Sequence, residues 1–121
     1  YLERRVMMLH NVPFADLPAI YQLAQAFVYP SRYEGFGIPI IEAIHCGLPI
    51  VACAGSCLEE AGGPDGLYVD PDDVEGMRAA LVDALDNTKR DIRVARCREY
   101  VRRFAAEKTT PQMIGEYFNV L

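Results

Sequence analysis

Residues 32–52 read RYEGFGIPIIEAIHCGLPIVA and join a glycine-containing loop to a helical pattern and then to an apolar run. Pro39 suits the first turn of a helix, where a backbone N–H has no helical partner, and Gly47 suits the residue just after its end. The run PIVAC (49–53) is apolar throughout, as in a strand that is buried on both faces. This stretch therefore predicts a loop, a helix and a buried strand in succession.

Similar apolar runs flank this stretch on both sides. AFVYP (26–30) and LYV (67–69) predict two more strands, and Val6–Leu9 is long enough for a fourth. Strands that are apolar throughout and separated by helices are typical of a parallel sheet covered on both faces, so the fold class is α/β of the doubly wound kind. Helices are predicted near residues 17–24, 38–46, 57–61, 73–86, 88–104 and 109–120, with Asp16 and either Asp72 or Asp73 as N-caps.

The composition is that of a soluble globular protein. The 121 residues suffice for one domain, and 51% of them are hydrophobic while 24% are charged. A net charge of -5 argues against a nucleic-acid partner, and no apolar run approaches the ~18 residues of a membrane-spanning helix. The chain begins at Tyr1 with no visible signal peptide, as a processed protein or an excised fragment would.

The basic residues and the cysteines suggest no special site. One Lys and six Arg between Lys89 and Arg103 follow helical spacing and predict a solvated helix face. The alternative is a basic strip that touches an anionic membrane surface or a partner. The cysteines form no CxxC pair, and the Cys53–Cys57 pair has no nearby histidine to complete a zinc site, so we expect free thiols in a reducing cytoplasm and no bound metal. They are Cys46, Cys53, Cys57 and Cys97.

Two carboxylates, Glu34 and Glu42, stand where a ligand is expected. Ligands of open parallel sheets gather beyond the carboxyl ends of the strands, and a helix N-terminus there suits a phosphate. Ionised carboxylates only accept hydrogen bonds, so these two suit sugar hydroxyls on either side of a helix-bound diphosphate, the layout of a nucleotide sugar. The alternative is that Glu34 complements the helix dipole and Glu42 is an exposed helix residue. Their spacing alone leaves both interpretations open.

The longer string YPSRYEGFGIPIIEAIHCGLPIVA (29–52) resembles the signature of retaining group-1 glycosyltransferases of the GT-B fold, whose E-x7-E pattern matches Glu34 and Glu42. The similarity extends back through VPFADLPAIYQLAQAFVYP and forward through GSCLEEAGG and GLYVDPDD. The resemblance implies a Rossmann-like parallel sheet with flanking helices. It also implies that residues 1–121 are part of the C-terminal nucleotide-sugar-binding domain, without its first strands and without the N-terminal acceptor domain.

The resemblance also implies a role for each matching residue. Glu34 would be the catalytic-site acid that holds the donor-sugar hydroxyls, together with the backbone amides that follow it, and Glu42 would bind the ribose. The amides around Gly37 and Ile38 would contact the diphosphate. Retention is ascribed in the family to a same-face substitution, so no protein nucleophile is expected. The resemblance implies neither a metal nor a bound cofactor. The implied donor-binding residues are Glu34, Gly35, Phe36, Gly37, Ile38 and Glu42.

The function implied for the full-length protein is transfer of a hexose from a UDP- or GDP-hexose to a glycan or lipid-linked acceptor, as in polysaccharide biosynthesis. The isolated chain is expected to be inactive and to expose unpaired strand edges. The expected location is the cytoplasm, with peripheral attachment at the inner membrane surface left open. The alternatives are a non-catalytic nucleotide- or sugar-binding module or a degenerate fragment. A third, another Rossmann-like cofactor protein, is disfavoured because no G-x-G-x-x-G follows a strand.

Some positions depart from the family pattern. His10 stands where a glycine is common near the nucleobase, and it either shapes base selection or is a surface substitution. Glu59-Glu60 replaces the usual Pro-Glu, and we interpret Glu60 as structural. Arg32 is the only basic residue in the signature loop, which is little positive charge for a diphosphate.

Overall fold

A computed structural model describes residues 3–120 of the chain. Its sheet contains three parallel strands in the order β1-β2-β3, and the central strand places Val51 between Val28 and Leu67. All four residues of the central strand are buried, as their apolar character predicts. The predicted α/β class with a parallel sheet is thus confirmed. The strands are β1 (Phe27–Tyr29), β2 (Ile50–Cys53) and β3 (Leu67–Val69).

Six α-helices and two short 3-10 turns make up the rest of the regular structure in the described residues. Asp73 caps α4 by accepting the N–H of Gly76, as predicted, whereas Asp16 takes the N-cap position of α1 without a side-chain hydrogen bond. None of the helices within residues 3–120 has the length and apolar character needed to cross a membrane. The helices are α1 (Leu17–Leu23), α2 (Ile38–His45), α3 (Leu58–Gly62), α4 (Val74–Ala84), α5 (Asn87–Val101) and α6 (Ala106–Val120), and the 3-10 turns are Phe14–Asp16 and Arg102–Phe104.

The helices cover both faces of the sheet. Helices α2, α3 and α5 pack on one face, where Ile40, Ile44 and Leu58 are fully buried. Helix α4 packs on the other face through Ala80 and Ala84 against Val51. Burying apolar surface on both sides of such short strands is the main force that holds the sheet together.

The fourth predicted strand is wrong. Val6–Leu9 is not a strand in the structure, and the side chains of Val6, Met7 and Met8 are 62%, 80% and 74% exposed. A strand needs a neighbouring strand for its backbone hydrogen bonds, and no described strand lies beside this segment. The outer edges of β1 and β3 also lack a strand partner within residues 3–120.

The prediction that the arginines of α5 form a solvated face is wrong for Arg90 and Arg93, which are half-buried, whereas Arg98 is exposed but also makes tertiary contacts. Arg98 donates to the carbonyl oxygens of Ile44 and His45 at 3.3 and 3.1 Å, and Arg90 reaches that of Gly47 at 3.4 Å. The last carbonyls of a helix have no helical partner, so these arginines satisfy the end of α2. In the same way, Arg93 binds the Asp83 carboxylate at 2.7 Å and ties α5 to α4.

Because the three strands are parallel, the loops that follow them lie together at the carboxyl end of the sheet. Ala54, after β2, donates to the carbonyl of Val69 at 2.8 Å. Arg32, after β1, pairs with Asp72, after β3. The thiol of Cys57 lies 3.3 Å from the carbonyl oxygen of Glu34. These contacts hold the loop of residues 30–37, called the Glu34 loop below, against both neighbouring loops.

Candidate functional site

The carboxylate of Glu34 is fixed by two hydroxyl groups. Tyr29 Oη lies 2.7 Å and Ser31 Oγ 2.8 Å from the same oxygen, Oε1. These two hydrogen bonds hold the pKa of Glu34 below its ordinary value. The residue is exposed, so it is an ionised acceptor available to a ligand at neutral pH.

A cavity of about 430 Å³ opens beside Glu34, lined by Tyr29 and residues 34–39. It brings together the residues from Glu34 to Ile38 that the sequence predicts for donor binding. A Cβ added to Gly35 would meet nothing within 4 Å, so a ligand has access to the backbone there. Gly37 has φ +100°, and its added Cβ would lie 2.8 Å from Leu58 Cδ2. Gly37 is therefore required by the fold, whereas Gly35 leaves space beside the backbone that a ligand can occupy.

Helix α2 begins at this cavity. Gly37 is its N-cap and provides no side-chain hydrogen bond, and Pro39 in the first turn has no N–H. The N–H of Ile38 belongs to the first turn, where backbone donors have no helical partner. Phe36 turns its ring to Phe104, at 5.1 Å between centroids in edge-on geometry, and so anchors the loop to the 3-10 turn after α5. The unpaired backbone donors of the first turn and the positive dipole end of α2 can therefore bind an anion.

Glu42 lies in a different cavity. It projects from α2 toward α1, where Tyr21 Oη donates to its Oε2 at 3.0 Å. Burial, and then the hydrogen bond with this carboxylate, raise the pKa of Tyr21 to about 12. The groove between the two helices, called the Glu42 groove below, has a cavity volume of about 260 Å³. Its lining residues are Phe14, Leu17, Pro18, Tyr21, Glu42, His45 and Cys46.

The two predicted acids therefore line separate cavities, one before the first turn of α2 and one beside its second. Sequence reasoning missed the three hydroxyl groups that bind them. Tyr29 and Ser31 precede Glu34 by five and three residues, and this closeness is a signal that could have been used. Tyr21 is 21 residues from Glu42, and the sequence indicated for it only a place in the helix predicted near residues 17–24.

Three other predicted features lie outside both cavities. Arg32 pairs with Asp72, which raises the pKa of Arg32 and lowers that of Asp72. His10 is exposed and lines neither cavity. The backbone carbonyl of Glu60 accepts a hydrogen bond from Tyr100 Oη at 2.7 Å, a structural contact between α3 and α5. Among the described residues, no three His, Cys, Asp or Glu side chains are grouped to hold a metal ion.

Comparison with known proteins identifies the family. Residues 1–87 match the family described as glycosyl transferases group 1. The chain belongs to this family. The resemblance of the signature string to group-1 glycosyltransferases is thereby confirmed at the level of the family.

Relatives that are named mannosyltransferases align with almost the whole chain. The O-antigen chain mannosyltransferase B of Escherichia coli is 42% identical over 116 residues, which are 95% of this chain and 30% of that protein. The O-antigen chain mannosyltransferase RfbU of Salmonella typhimurium is 34% identical over 118 residues, 96% of this chain and 32% of that protein. The chain thus spans about a third of the length of these relatives.

A solved structure supports the fold of this family member. Sucrose-phosphate synthase from Thermosynechococcus elongatus superimposes with a TM-score of 0.85 and 32% sequence identity. The match covers 98% of this chain and 31% of that chain. The expected Rossmann-like parallel sheet with flanking helices, as in a segment of a GT-B glycosyltransferase, is confirmed.

Proposed function

We propose that this chain is the donor-binding part of a glycosyltransferase that transfers a hexose from a nucleotide sugar to a glycan or lipid-linked acceptor with retention of configuration. The observation that carries the proposal is the arrangement around α2. An acceptor carboxylate stands in a cavity on each side of a helix start that has no side-chain cap. A nucleotide sugar has hydroxyls, a diphosphate and a ribose in that order, and each part meets a group of matching chemistry.

The sugar of the donor is assigned to the Glu34 cavity. Glu34 is ionised and accepts hydrogen bonds from the sugar hydroxyls, and its neighbour Gly35 lets the ligand approach the backbone. Two relatives that align with at least 95% of the chain are named mannosyltransferases, which supports mannose as the hexose. Glu34 acts in catalysis by orienting the sugar, and the donor phosphate takes the acceptor proton in the same-face substitution.

The diphosphate is assigned to the start of α2, and the nucleoside to the Glu42 groove. The first-turn N–H groups and the helix dipole favour an anion at Ile38. The groove combines apolar side chains, which suit the face of a base, with the Glu42 carboxylate, which suits the ribose hydroxyls. Within the described residues, no basic side chain lines either assigned cavity except His45 in the groove. The positive charge for the diphosphate is therefore proposed to come from the rest of the protein.

Calorimetry on the full-length protein that carries this sequence tests these assignments. Glu42→Ala should weaken binding of the nucleotide alone and of the nucleotide sugar by about tenfold or more, since a hydrogen bond to a charged group is worth about 1.5–3 kcal/mol. Glu34→Ala should weaken only the nucleotide sugar. Transfer is assayed separately, with residues 1–121 alone expected to show none.

Two results would contradict the proposal. Equal losses for both ligands in both variants would defeat the assignment of the two acids. Tight binding without transfer by the full-length protein to any glycan or lipid acceptor would favour the non-catalytic binding module instead. The cytoplasmic or inner-membrane location stays a prediction.

A further inference from the structure

We propose that the hydroxyl groups of Tyr29 and Ser31 are positioning groups that fix Oε1 of Glu34 and leave Oε2 as the oxygen that accepts from the donor sugar. This inference rests on the proposed function, because it specifies how the acid of the sugar cavity is prepared for its ligand. It assigns neither hydroxyl a contact with the sugar itself.

The first support for this proposal is that both hydroxyl groups donate to the same carboxylate oxygen. Tyr29 Oη at 2.7 Å and Ser31 Oγ at 2.8 Å both meet Oε1. A carboxylate oxygen has two lone pairs, so two donors fill the hydrogen-bonding capacity of Oε1. Ser31 Oγ also lies 3.2 Å from the carbonyl of Tyr33, and the shorter approach to the charged oxygen takes its single hydrogen.

The second support is how firmly Tyr29 is held. It is the last residue of β1, and it pairs with Ala52 of the central strand. Its ring stacks on that of Phe27 with centroids 5.7 Å apart and planes inclined by 19°. The phenol is therefore positioned by the sheet and its aromatic neighbour, while Glu34 is an exposed residue of a loop. The hydrogen bond from Tyr29 therefore restricts the Glu34 carboxylate to one position, because its donor is held in place by the sheet.

Such positioning has a direct consequence for binding. An exposed glutamate has several rotamers, and a ligand that must select one of them binds more weakly. Fixing the side chain before binding removes part of the entropic cost of binding. This is the usual role of supporting hydrogen bonds around a binding group. The same two bonds hold the pKa of Glu34 below its ordinary value, so that the carboxylate stays ionised at lower pH.

The test uses Tyr29→Phe, Ser31→Ala and the double variant in the full-length protein. Tyr29→Phe keeps the ring that packs on Phe27, and Tyr33→Phe is the matched control because Tyr33 is 92% exposed. The probes are GDP-mannose and UDP-glucose for the nucleotide sugar, and GDP and UDP for the nucleotide alone. Calorimetry gives the affinity, and circular dichroism checks that each variant is folded.

We expect each single variant to bind the nucleotide sugar about three- to tenfold more weakly, as the loss of one hydrogen bond implies, and the double variant more weakly still. Affinity for GDP or UDP should not change, and Tyr33→Phe should behave as the unaltered protein. Ser31→Thr, which keeps a hydroxyl group, should recover most of the affinity lost in Ser31→Ala.

The pH profile separates positioning from a merely structural role. Binding needs ionised Glu34, so affinity falls as the pH drops through the pKa of Glu34, which the two donors lower. Removing both donors raises that pKa, and the acid limb of the affinity profile should move to higher pH in the double variant. The limb should not move in Tyr33→Phe.

The outcomes distinguish this inference from the function on which it rests. If the unaltered protein binds a nucleotide sugar and Glu34→Ala weakens it, but the double variant binds normally with an unshifted acid limb, positioning alone is overturned. Equal weakening of nucleotide and nucleotide sugar would also overturn it, because the effect would then be on the fold. If the unaltered protein binds none of the four probes, both proposals fall together.

Discussion

The Glu34 loop and the Glu42 groove each pair a glutamate with a tyrosine, but they are built in different ways. In the loop, both donors to the carboxylate come from within five residues of the acid, and Glu34 is exposed. In the groove, the donor Tyr21 comes from another helix, 21 residues away, and Glu42 is half-buried. The loop site is thus a product of local chain geometry, and the groove exists only when α1 packs on α2.

The two regions also differ in which group has an altered pKa and in what alters it. The state of Glu34 depends on two hydrogen bonds made at the surface, which lower its pKa. In the groove the altered group is the tyrosine, whose pKa rises to about 12 because burial disfavours its charged form. We therefore expect changes in the loop to alter ligand binding, and changes in the groove to alter both binding and stability.

The largest effect is expected at Gly37, which joins the loop to α2. Gly37→Ala should lower the free energy of unfolding by about 2–4 kcal/mol, because a side chain is strained at positive φ and crowds the core. The φ of this residue is +100°, and the added Cβ would lie 2.8 Å from Leu58 Cδ2. The midpoint of urea unfolding measures the loss. Because Gly37 anchors both regions, affinity for nucleotide and for nucleotide sugar should fall together.

Gly35→Ala is the matched control for Gly37→Ala within the same loop. Its Cβ meets nothing within 4 Å, so the urea midpoint should stay the same. The methyl group would nevertheless face the proposed sugar position, so the nucleotide sugar should bind more weakly while the nucleotide binds normally. Unchanged affinity for both ligands would show that no ligand approaches this backbone, and equal stability of the two variants would remove the distinction between the glycines.

A smaller effect is expected at Tyr21 in the Glu42 groove. Tyr21→Phe should lower the free energy of unfolding by about 1.5 kcal/mol at pH 8, the lower end of the range for a hydrogen bond to a charged group, because Glu42 is only half-buried. The pKa of Tyr21 is raised from its ordinary value of 10.0 to about 12, so its stabilising effect is complete below pH 10 and is lost as the pH rises toward 12. The stability difference between the unaltered protein and Tyr21→Phe should therefore shrink as the pH rises above 10.

Urea unfolding at several pH values between 8 and 11 gives this difference directly, within the range set by that shift. Tyr33→Phe is the control, because its hydroxyl is on a side chain that is 92% exposed and its removal should leave the urea midpoint at pH 8 unchanged. A constant difference between the two proteins across the range would mean that Tyr21 ionises alike in the folded and unfolded states.

The contrast between loop and groove also explains what could be predicted from the sequence. Three apolar runs gave β1, β2 and β3, because a strand buried on both faces has a distinct composition. The same criterion failed for Val6–Leu9, since composition does not show whether a pairing strand is present. The Gly37–Ile38 helix start was also predictable, because Pro39 and the glycines before it mark it locally.

The site was predicted only as far as local signals reached. Glu34 and Glu42 were identified, but the Tyr21 contact was not, because it depends on how two helices pack. The arginines of α5 show the same limit. Their spacing predicted a solvated face, but it did not show that Arg98, although exposed, donates to carbonyls of α2 that lie more than 50 residues away. Contacts that form only when helices pack together cannot be predicted from the residues that neighbour each partner in the sequence.

The smallest effect that we predict uses two thiols, one in the Glu42 groove and one that contacts the Glu34 loop. Cys46 lines the Glu42 groove, and Cys57 contacts the backbone of Glu34 at 3.3 Å; both are half-buried. GDP or UDP should slow labelling of Cys46 alone by N-ethylmaleimide, and the nucleotide sugar should slow both. At about ten times Kd the rate should fall by at most about tenfold, since the free fraction still reacts.

Peptide mass spectrometry follows each thiol separately, with Cys53 and Cys97 as internal controls. Both are buried, and burial raises the pKa of Cys97 to about 11, so they should stay unlabelled in the folded protein. Protection of Cys57 by the nucleotide alone would place the nucleoside in the Glu34 loop and reverse the assignment of the two regions. Protection of neither thiol by a bound nucleotide sugar would place the donor away from both acids.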